Sequence, residues 1–251
     1  MKSAAEEGTR KLYLDDFSLT RCEAEVLEVE GPSSEATLTL DQTCFYPGGG
    51  GQPCDLGAIT WSTGSMQVTK VRKEPDGVVR HVGVVEGLIP YIGDSVTCII
   101  DAPLRHYYSR LHSAGHLLDL AVERAGNTWV PGRGAHFPDM SYVEYNGDFD
   151  ATKADVYREA IQEQIDSIIA AGGQVTSSRV RPEEARKRSK YIPEAVLAKY
   201  KLVHLATYNG SFDICCGGTH VQNVADIGKV IVTKIKKKDK AIRVSYSLQE
   251  M

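Results

Sequence analysis

Apolar positions in the first hundred residues follow a strand-like pattern. From Arg21 to about Thr97, short stretches rich in β-branched residues alternate with polar ones and are bounded by Gly, Pro, Asp or Ser. Alternation of this kind is typical of half-buried strands. It predicts strands at Cys22–Val29, Glu35–Leu40, Gly57–Ser62, Met66–Val71, Val78–Val85 and Ser95–Ile100. Strands this short and this closely spaced predict a small antiparallel barrel or sandwich.

The pattern changes at Asp101-Ala102-Pro103. Asp can cap a helix, and Pro is tolerated in the first helical turn. Apolar residues then recur at helical spacing up to Ala125, before Gly126 offers a stop. They include Leu104, Leu111, Leu118 and Val122. We therefore expect one long helix here.

The remaining chain mixes both patterns. Thr152–Ala171 reads as an amphipathic helix that ends before Gly172-Gly173. Its predicted apolar face is Val156, Ile161, Ile165, Ile168 and Ile169. The other predictions are a loop or irregular strand at Trp129–His136, a short helix at Pro182–Lys190, and strands at Met140–Tyr145, Gln174–Val180, Gly228–Lys236 and Ala241–Leu248. The mixture indicates an α+β protein: a small N-terminal antiparallel β barrel-like domain at 1–100, then an α+β domain at 101–251.

Two segments far apart in sequence carry candidate metal ligands. His112 and His116 are four residues apart on the predicted long helix, so both imidazoles lie on one face. Cys216 and His220 enclose two glycines in a predicted loop. Three imidazoles and a thiolate suit zinc. We therefore expect a single Zn2+ site formed by His112, His116, Cys216 and His220.

These blocks carry a family resemblance. His-Ser-Ala-Gly-His-Leu-Leu at 112–118, followed by Cys-Gly-Gly-Thr-His-Val at 216–221, resembles the editing domain of alanyl-tRNA synthetases and the free-standing AlaX proteins. A glycine block, Phe-Tyr-Pro-Gly-Gly-Gly-Gly-Gln-Pro at 45–53, resembles a motif in the domain preceding that editing domain. The order and spacing of the three blocks match over nearly the whole chain. The family's ligand position selects Cys216, which leaves Cys215 as a packing residue or an alternative ligand.

The resemblance implies a trans-editing hydrolase that deacylates mischarged alanine tRNA, releasing serine and sometimes glycine, with the acceptor end of tRNA(Ala) as its partner and no nucleotide cofactor. Candidate contacts to the amino acid are Thr43, Ser113, Thr219, Gly132 and Arg133. Gly132 and Arg133 stand where related synthetases often carry a glutamine, which leaves the amino-acid specificity open. Candidate tRNA contacts are Gly48, Gly49, Gly50, Gly51, Gln52, Lys236, Lys237, Lys238 and Arg243.

Composition sets wider bounds. The net charge of −4 argues against indiscriminate attraction to nucleic acid, although Arg179–Lys190 and Lys234–Lys240 are locally basic. No apolar run reaches the roughly 18 residues of a membrane span, and the polar start lacks a signal-peptide core, so we expect a cytoplasmic soluble protein. Six cysteines in such a chain favour thiols or ligands over disulfides.

Several alternatives stay open at this stage. Zinc can activate a water, or it can orient the substrate while an ordered water attacks. The substrate can be another mischarged tRNA, such as a threonyl ester. A third possibility is a non-catalytic tRNA-binding module with a structural zinc, because four protein ligands favour a closed site. The oligomeric state is not fixed by these patterns.

Overall fold

The computed structural model describes residues 8–249, which form two compact units. The first holds the described residues up to Gly49 together with Pro53–His106; the second holds Gly50–Gln52 and the residues from Tyr107 onward. The domain boundary expected after residue 100 stays a prediction. By internal contacts, three residues of the glycine block belong with the second unit.

The first unit is built around a closed antiparallel barrel. Its neighbouring strands run in the order β2, β3, β7, β6, β5 and β8, with β8 closing onto β2. The strands of this unit are β1 (Arg10–Lys11), β2 (Arg21–Glu30), β3 (Ala36–Leu40), β4 (Gln42–Thr43), β5 (Gly57–Trp61), β6 (Gly64–Lys73), β7 (Val79–Gly87) and β8 (Ser95–Ile100). The barrel prediction is confirmed, and closure excludes the open sandwich. Short β1 and β4 form a separate parallel pair.

Alternating side chains fill the barrel. In β8, Val96, Cys98 and Ile100 are buried while their neighbours Ser95 and Ile99 are exposed. The same period of two in the other strands supplies the rest of the core, because successive side chains of a strand point to opposite faces. Its largest members include Leu38, Leu40, Phe45, Ile59 and Met66.

A buried ion pair in the first unit lies beside the start of the glycine block. The Arg105 guanidinium bonds both carboxylate oxygens of Asp55 and donates to the Cys44 carbonyl at 2.7 Å. Asp55 in turn accepts the backbone N–H of Tyr46 at 2.6 Å. Arg105 and Asp55 are 3% and 2% exposed, so each charge depends on the other for compensation.

The long helix and the second unit follow. Helix α1 (Ala102–Arg124) is capped by Asp101, whose Oδ1 accepts the Leu104 N–H at 3.0 Å. One sheet runs β14-β15-β10-β9, from β9 (Val130–Phe137), β10 (Met140–Asn146), β14 (Val230–Lys238) and β15 (Ala241–Leu248). A second runs β11-β12-β13, from β11 (Val175–Val180), β12 (Val203–Tyr208) and β13 (Phe212–Cys215). The α+β prediction is confirmed.

Helix α2 (Ala154–Ala171) packs against β14. The Gln162 amide bonds the backbone of Val230 and Val232, each at 2.8 Å, and Ile161, Ile165 and Ile168 are buried. Val156 was wrongly placed on this face, since it is 63% exposed. Five residues at about 100° each put it about 140° around the helix from Ile161.

Two short helices cover the second sheet. Helix α3 (Pro182–Arg188) agrees with the prediction, whereas α4 (Glu194–Lys199) and strands β12 and β13 were not predicted. Ala185 of α3 and Leu197 of α4 share a core with Val203 and Leu205 of β12. Among residues 8–249, no helix combines the length and apolar character that crossing a membrane requires.

The buried ion pair gives a stability prediction. Asp55→Asn leaves the Arg105 charge buried without a countercharge, and we expect the free energy of unfolding to fall by about 3–5 kcal/mol. Denaturant unfolding measures this. Glu194→Gln, which breaks the exposed Glu194–Arg186 pair, is the control and should change stability little because solvent screens such pairs. Equal losses in both variants would contradict the argument.

Candidate metal centre

Four side chains from α1 and from the loop after β13 converge in the second unit. One ligand atom from each of His112, His116, Cys216 and His220 lies within 4.8 Å of the other three. The structure thus brings together all four residues expected to hold the metal. His112 and His220 are buried, while His116 and Cys216 are half-buried.

Helix α1 supplies half of the cluster through its periodicity. His112 and His116 are one helical turn apart, and their ring centroids are 4.7 Å apart. Leu111, Leu117 and Leu118 are fully buried on the other side of the same turns. Burial of these leucines fixes the rotation of the helix and thereby aims both imidazoles at one region.

The loop that carries Cys216 and His220 is shaped by a close approach at Gly218. The Gly218 N–H donates to Cys216 Sγ at 3.3 Å, which turns the loop around the sulfur. A methyl group on Gly218 would overlap the His112 ring. Only glycine lets this backbone lie against the imidazole. Cys216 Sγ then lies 3.5 Å from His112 Nε2.

Gln52 orients His112. Its Oε1 lies 2.6 Å from His112 Nδ1 and also accepts the Thr219 N–H at 3.1 Å, while its Nε2 donates to Thr219 Oγ1 at 2.7 Å. Since Oε1 can only accept, His112 Nδ1 carries the proton and Nε2 presents a lone pair to the cluster. Contacts of this type fix the tautomer of metal-binding histidines.

The other two histidines have comparable supports. Nδ1 of His220 lies 2.9 Å from the Tyr208 hydroxyl, which leaves Nε2 for the cluster. Nδ1 of His116 lies 4.0 Å from Asp119 Oδ2, and Asp119 accepts the Tyr145 hydroxyl at 2.9 Å. Each ring therefore turns one nitrogen to a polar neighbour and the other to the centre.

The ionisable groups of the cluster shift one another's pKa values. Burial raises the pKa of the Cys216 thiol, but the imidazoles of His112, His220 and His116 outweigh burial and hold this pKa well below its usual value. Burial lowers the pKa of His116, but Cys216 and Asp119 outweigh it and raise this pKa to about 9. Burial lowers the pKa of His220 to about 4. The lowered pKa favours the thiolate form of Cys216, which is the form that binds metals.

The residues present fit a metal ion. Nε2 of His116 is buried and has no hydrogen-bond partner among residues 8–249. A buried nitrogen without a partner is costly, and coordination would remove that cost. The four groups can bind a metal ion, and their nitrogen and sulfur chemistry excludes the hard cations that prefer oxygen ligands.

A further histidine, which sequence analysis missed, lies beside the cluster. His136 of β9 stacks on His112 with ring centroids 5.0 Å apart and 30° between planes. Its Nδ1 lies 2.6 Å from the Tyr246 hydroxyl, and its backbone N–H donates to Gly51 O at 2.8 Å. Burial, followed by repulsion from His112, lowers its pKa far below the usual value. A single histidine in a strand gives no spacing signal.

The residues predicted to contact the amino acid lie in different parts of the protein and differ in burial. Ser113 Oγ accepts the Val221 N–H at 3.2 Å and lies 3.5 Å from His220 Nδ1. Thr219 Oγ1 bonds Gln52 and lies 2.8 Å from Ser109 Oγ. Thr43 belongs to the first unit, where its hydroxyl lies 2.8 Å from His81 Nε2. Gly132 and Arg133 are exposed on β9.

Cys215 is placed apart from the metal-binding group. It pairs with Leu205 in the sheet and packs against the core formed by β12, α3 and α4. The group of four contains Cys216 and omits Cys215.

The residues predicted to contact tRNA also differ in exposure. Gly49 and Gly50 are exposed, and Gly48 through Gly51 all have positive φ. Gln52 is 2% exposed, which does not match an exposed RNA contact. Lys236, Lys237 and Lys238 are exposed on β14.

Arg243 is the strand partner of Lys236, but its guanidinium bonds Glu144 at 2.5 Å and stacks on Tyr142. Its charge is therefore largely compensated. Because side chains alternate along β15, Arg243 lies on the sheet face opposite Tyr246, whose hydroxyl bonds Leu111 O of α1 at 2.8 Å. Lys236, Lys237 and Lys238 form no ion pair with any other residue of the described range 8–249.

The two adjacent cysteines provide a matched pair of variants. We expect Cys216→Ser to lose bound metal, because a hydroxyl replaces the thiolate that three imidazoles stabilise, whereas Cys215→Ser should keep it. Elemental analysis of the purified proteins gives the metal content per chain. Equal metal content in both variants would rule out Cys216 as a ligand.

Removal of the Gln52 amide tests the support of His112. In Gln52→Leu, His112 Nδ1–H loses its acceptor, and we expect metal affinity to fall about 10–100-fold. Competition with a chromophoric chelator measures the affinity. Gln52→Glu, which keeps an acceptor oxygen, should retain most of it. The matched control is Gln67→Leu in the barrel, where the side chain is exposed; a loss as large there would show a nonspecific effect.

Comparisons with known proteins agree with these features. The family model described as tRNA synthetases class II (A) matches residues 16–104. The alanine–tRNA ligase of Archaeoglobus fulgidus is 29% identical over 97% of the chain, which spans only 26% of that ligase. The alanyl-tRNA editing protein AlaX-L of Pyrococcus horikoshii is 27% identical over 92% of the chain, which spans 55% of AlaX-L.

Relatives of similar length complete the comparison. The alanyl-tRNA editing protein AlaX-M of Methanosarcina barkeri is 29% identical over 95% of the chain and 98% of its own length. The AlaX-M of Pyrococcus horikoshii is 30% identical over 88% of the chain and 89% of its own length. With this identity and coverage, the chain belongs to the AlaX family of alanyl-tRNA editing proteins.

Proposed function

We propose that this protein hydrolyses the ester that links a wrong amino acid to tRNA(Ala), with seryl-tRNA(Ala) as the main substrate and glycyl-tRNA(Ala) as a second one. The observation that carries the proposal is the convergence of His112, His116, Cys216 and His220 to within 4.8 Å, in a chain whose AlaX-M relatives are named alanyl-tRNA editing proteins. An enzyme of this kind acts on aminoacyl-tRNA, so we expect it in the cytoplasm.

The bound metal is proposed to be Zn2+, held by the same four residues. Three imidazoles and one thiolate are the donors that zinc prefers. When bound, Zn2+ supplies a fixed positive charge that can polarise an oxygen or hold a polar group of the substrate. Gln52 and Tyr208 orient the rings of His112 and His220, which would hold the ion.

The need for such a site follows from the limits of small pockets. A pocket built for alanine cannot exclude glycine by size and rejects an added hydroxyl only weakly. A second site must therefore recognise what the first accepts. An aminoacyl ester is already reactive, so holding it in line with a water molecule can supply much of the acceleration. We favour this positioning role for the cluster because its four donors match a closed tetrahedral set.

Contacts to tRNA are proposed at exposed groups. Lys236, Lys237 and Lys238 offer charges for phosphates, and the exposed backbone of Gly49 and Gly50 permits close approach. Phosphate contacts of this kind give an affinity that falls with salt and carries no base specificity.

The number of protein ligands in the cluster also supports a second candidate function. Four protein ligands are typical of structural zinc, which would make the chain a tRNA-binding module without hydrolytic activity. Hydrolysis of another mischarged tRNA, such as a threonyl ester, is a third candidate. All three give different results in one assay.

A deacylation panel tests the proposal. Seryl-, glycyl- and alanyl-tRNA(Ala), and a mischarged threonine tRNA, are incubated with the protein, and release of labelled amino acid is followed. We expect fast release of serine, slower release of glycine and little release of alanine. Because the metal site is central, Cys216→Ala or chelation should reduce the rate by about 100-fold or more, while Cys215→Ser should not.

Other outcomes identify the competing candidates. Binding of tRNA without release of any amino acid would favour the non-catalytic module. Release confined to the threonine tRNA would favour the third candidate. Full activity after removal of the metal would contradict a role for the ion.

A further inference from the structure

Recognition of a seryl group requires a hydrogen-bond partner for its hydroxyl. The three hydroxyl residues considered for this role are already engaged inside the protein: Thr43 with His81, Thr219 with Gln52, and Ser113 with the Val221 N–H. All three are also fully buried, so a polar atom that is still open is the better partner for the substrate.

His136 provides such an atom, because its tautomer is fixed by a chain of two hydrogen bonds. The Tyr246 hydroxyl donates its only hydrogen to Leu111 O at 2.8 Å, since a carbonyl can only accept. Tyr246 Oη must then accept at its 2.6 Å contact with His136 Nδ1. His136 Nδ1 therefore carries the hydrogen, and Nε2 of the neutral ring is a lone-pair acceptor.

Nε2 of His136 remains available. Within residues 8–249 it makes no hydrogen bond, and it is not among the polar atoms sealed from solvent, in contrast to Nε2 of His116. The space beside it is kept open by Gly134, where a methyl group would come within 2.7 Å of Nε2. The ring is held in place by its stacking on His112 and by the backbone bond to Gly51.

We propose that His136 Nε2 accepts the hydrogen bond of the seryl β-hydroxyl and so selects serine over glycine at the site. This inference rests on the proposed function. The His136 ring lies 5.0 Å from that of His112 and 6.3 Å from that of His116, so a small aminoacyl group held at the metal cluster reaches it. A neutral acceptor suits a neutral hydroxyl, whereas the substrate's ammonium group is better matched by a carboxylate.

Two substitutions test the roles of the two ring nitrogens of His136 separately. The amide nitrogen of Asn occupies the place of Nδ1, so His136→Asn keeps a donor to Tyr246 but lacks an atom at Nε2. The longer Gln side chain reaches the place of Nε2 and can present its carbonyl oxygen there. The first variant removes the proposed contact, and the second retains an acceptor.

The test compares seryl-tRNA(Ala) with glycyl-tRNA(Ala) in each variant. We expect His136→Asn to lower kcat/KM for the seryl substrate by about 10–100-fold, the effect of one lost hydrogen bond, with glycyl hydrolysis changed by less than about threefold. His136→Gln should recover much of the serine preference. Metal content and thermal unfolding are measured for each variant to verify that the site is intact.

A binding experiment gives a readout that does not depend on turnover. Amide-linked 3′-seryl and 3′-glycyl analogues of adenosine are titrated calorimetrically into the metal-loaded protein and its variants. We expect His136→Asn to weaken the seryl analogue by about 10-fold or more and to leave the glycyl analogue nearly unchanged.

The outcomes distinguish the two proposals. Equal losses of kcat/KM for both substrates, or no loss for the seryl substrate, would overturn the proposed role of His136. Equal losses would indicate a structural role, or a contact with the ammonium group that both substrates share. If the unaltered protein releases neither amino acid, the proposed function fails instead. If His136→Asn loses its metal, the decision falls to His136→Gln and to Tyr246→Phe, which removes the acceptor that fixes the tautomer. Unchanged serine preference in Tyr246→Phe would then overturn the proposal.

Discussion

Convergence of three imidazoles and one thiolate is the constraint on which the second unit depends. Such a set cannot form from local sequence, because its halves are about a hundred residues apart and each must arrive in a fixed orientation. Helix α1 solves the problem for His112 and His116 through burial of its leucines. The loop from Cys216 to His220 solves it through a backbone bond to sulfur and a glycine that lies against an imidazole.

Hydrogen bonds around the cluster determine which atoms face inward. Gln52, Tyr208 and Tyr246 each direct one nitrogen of a histidine away from the centre. A polar network at this burial is costly when incomplete, since an unsatisfied group loses its hydration without replacement. The same cost makes the arrangement specific: a ring that rotates out of place gives up its partner. Fold stability and ligand geometry thus depend on the same contacts.

Much of this was predictable from sequence where the signal is periodic or local. The strands of the barrel and helix α1 with its Asp101 cap follow from spacing and residue type. The pairing of His112–His116 with Cys216–His220 follows from spacing together with the family resemblance. The contact of Gln52 with His112 and that of His136 with Tyr246 could not be predicted. The partners lie 60 and 110 residues apart, and neither position belongs to a repeating pattern. Helix α4 and strand β13 are too short for periodicity to register, and Val156 shows how an apolar residue at a helix start can miss the buried face.

The position of Gln52 has a consequence for how this protein can be divided. Gly50–Gln52 precede α1 in sequence by some fifty residues yet belong with the second unit. A shortened polypeptide that starts at residue 101 would keep every sulfur and imidazole donor and lose the amide that orients one of them. Recombination that transfers only the later segment to another gene would therefore deliver a site with a loosened histidine, so inheritance of a competent centre requires both stretches to travel together.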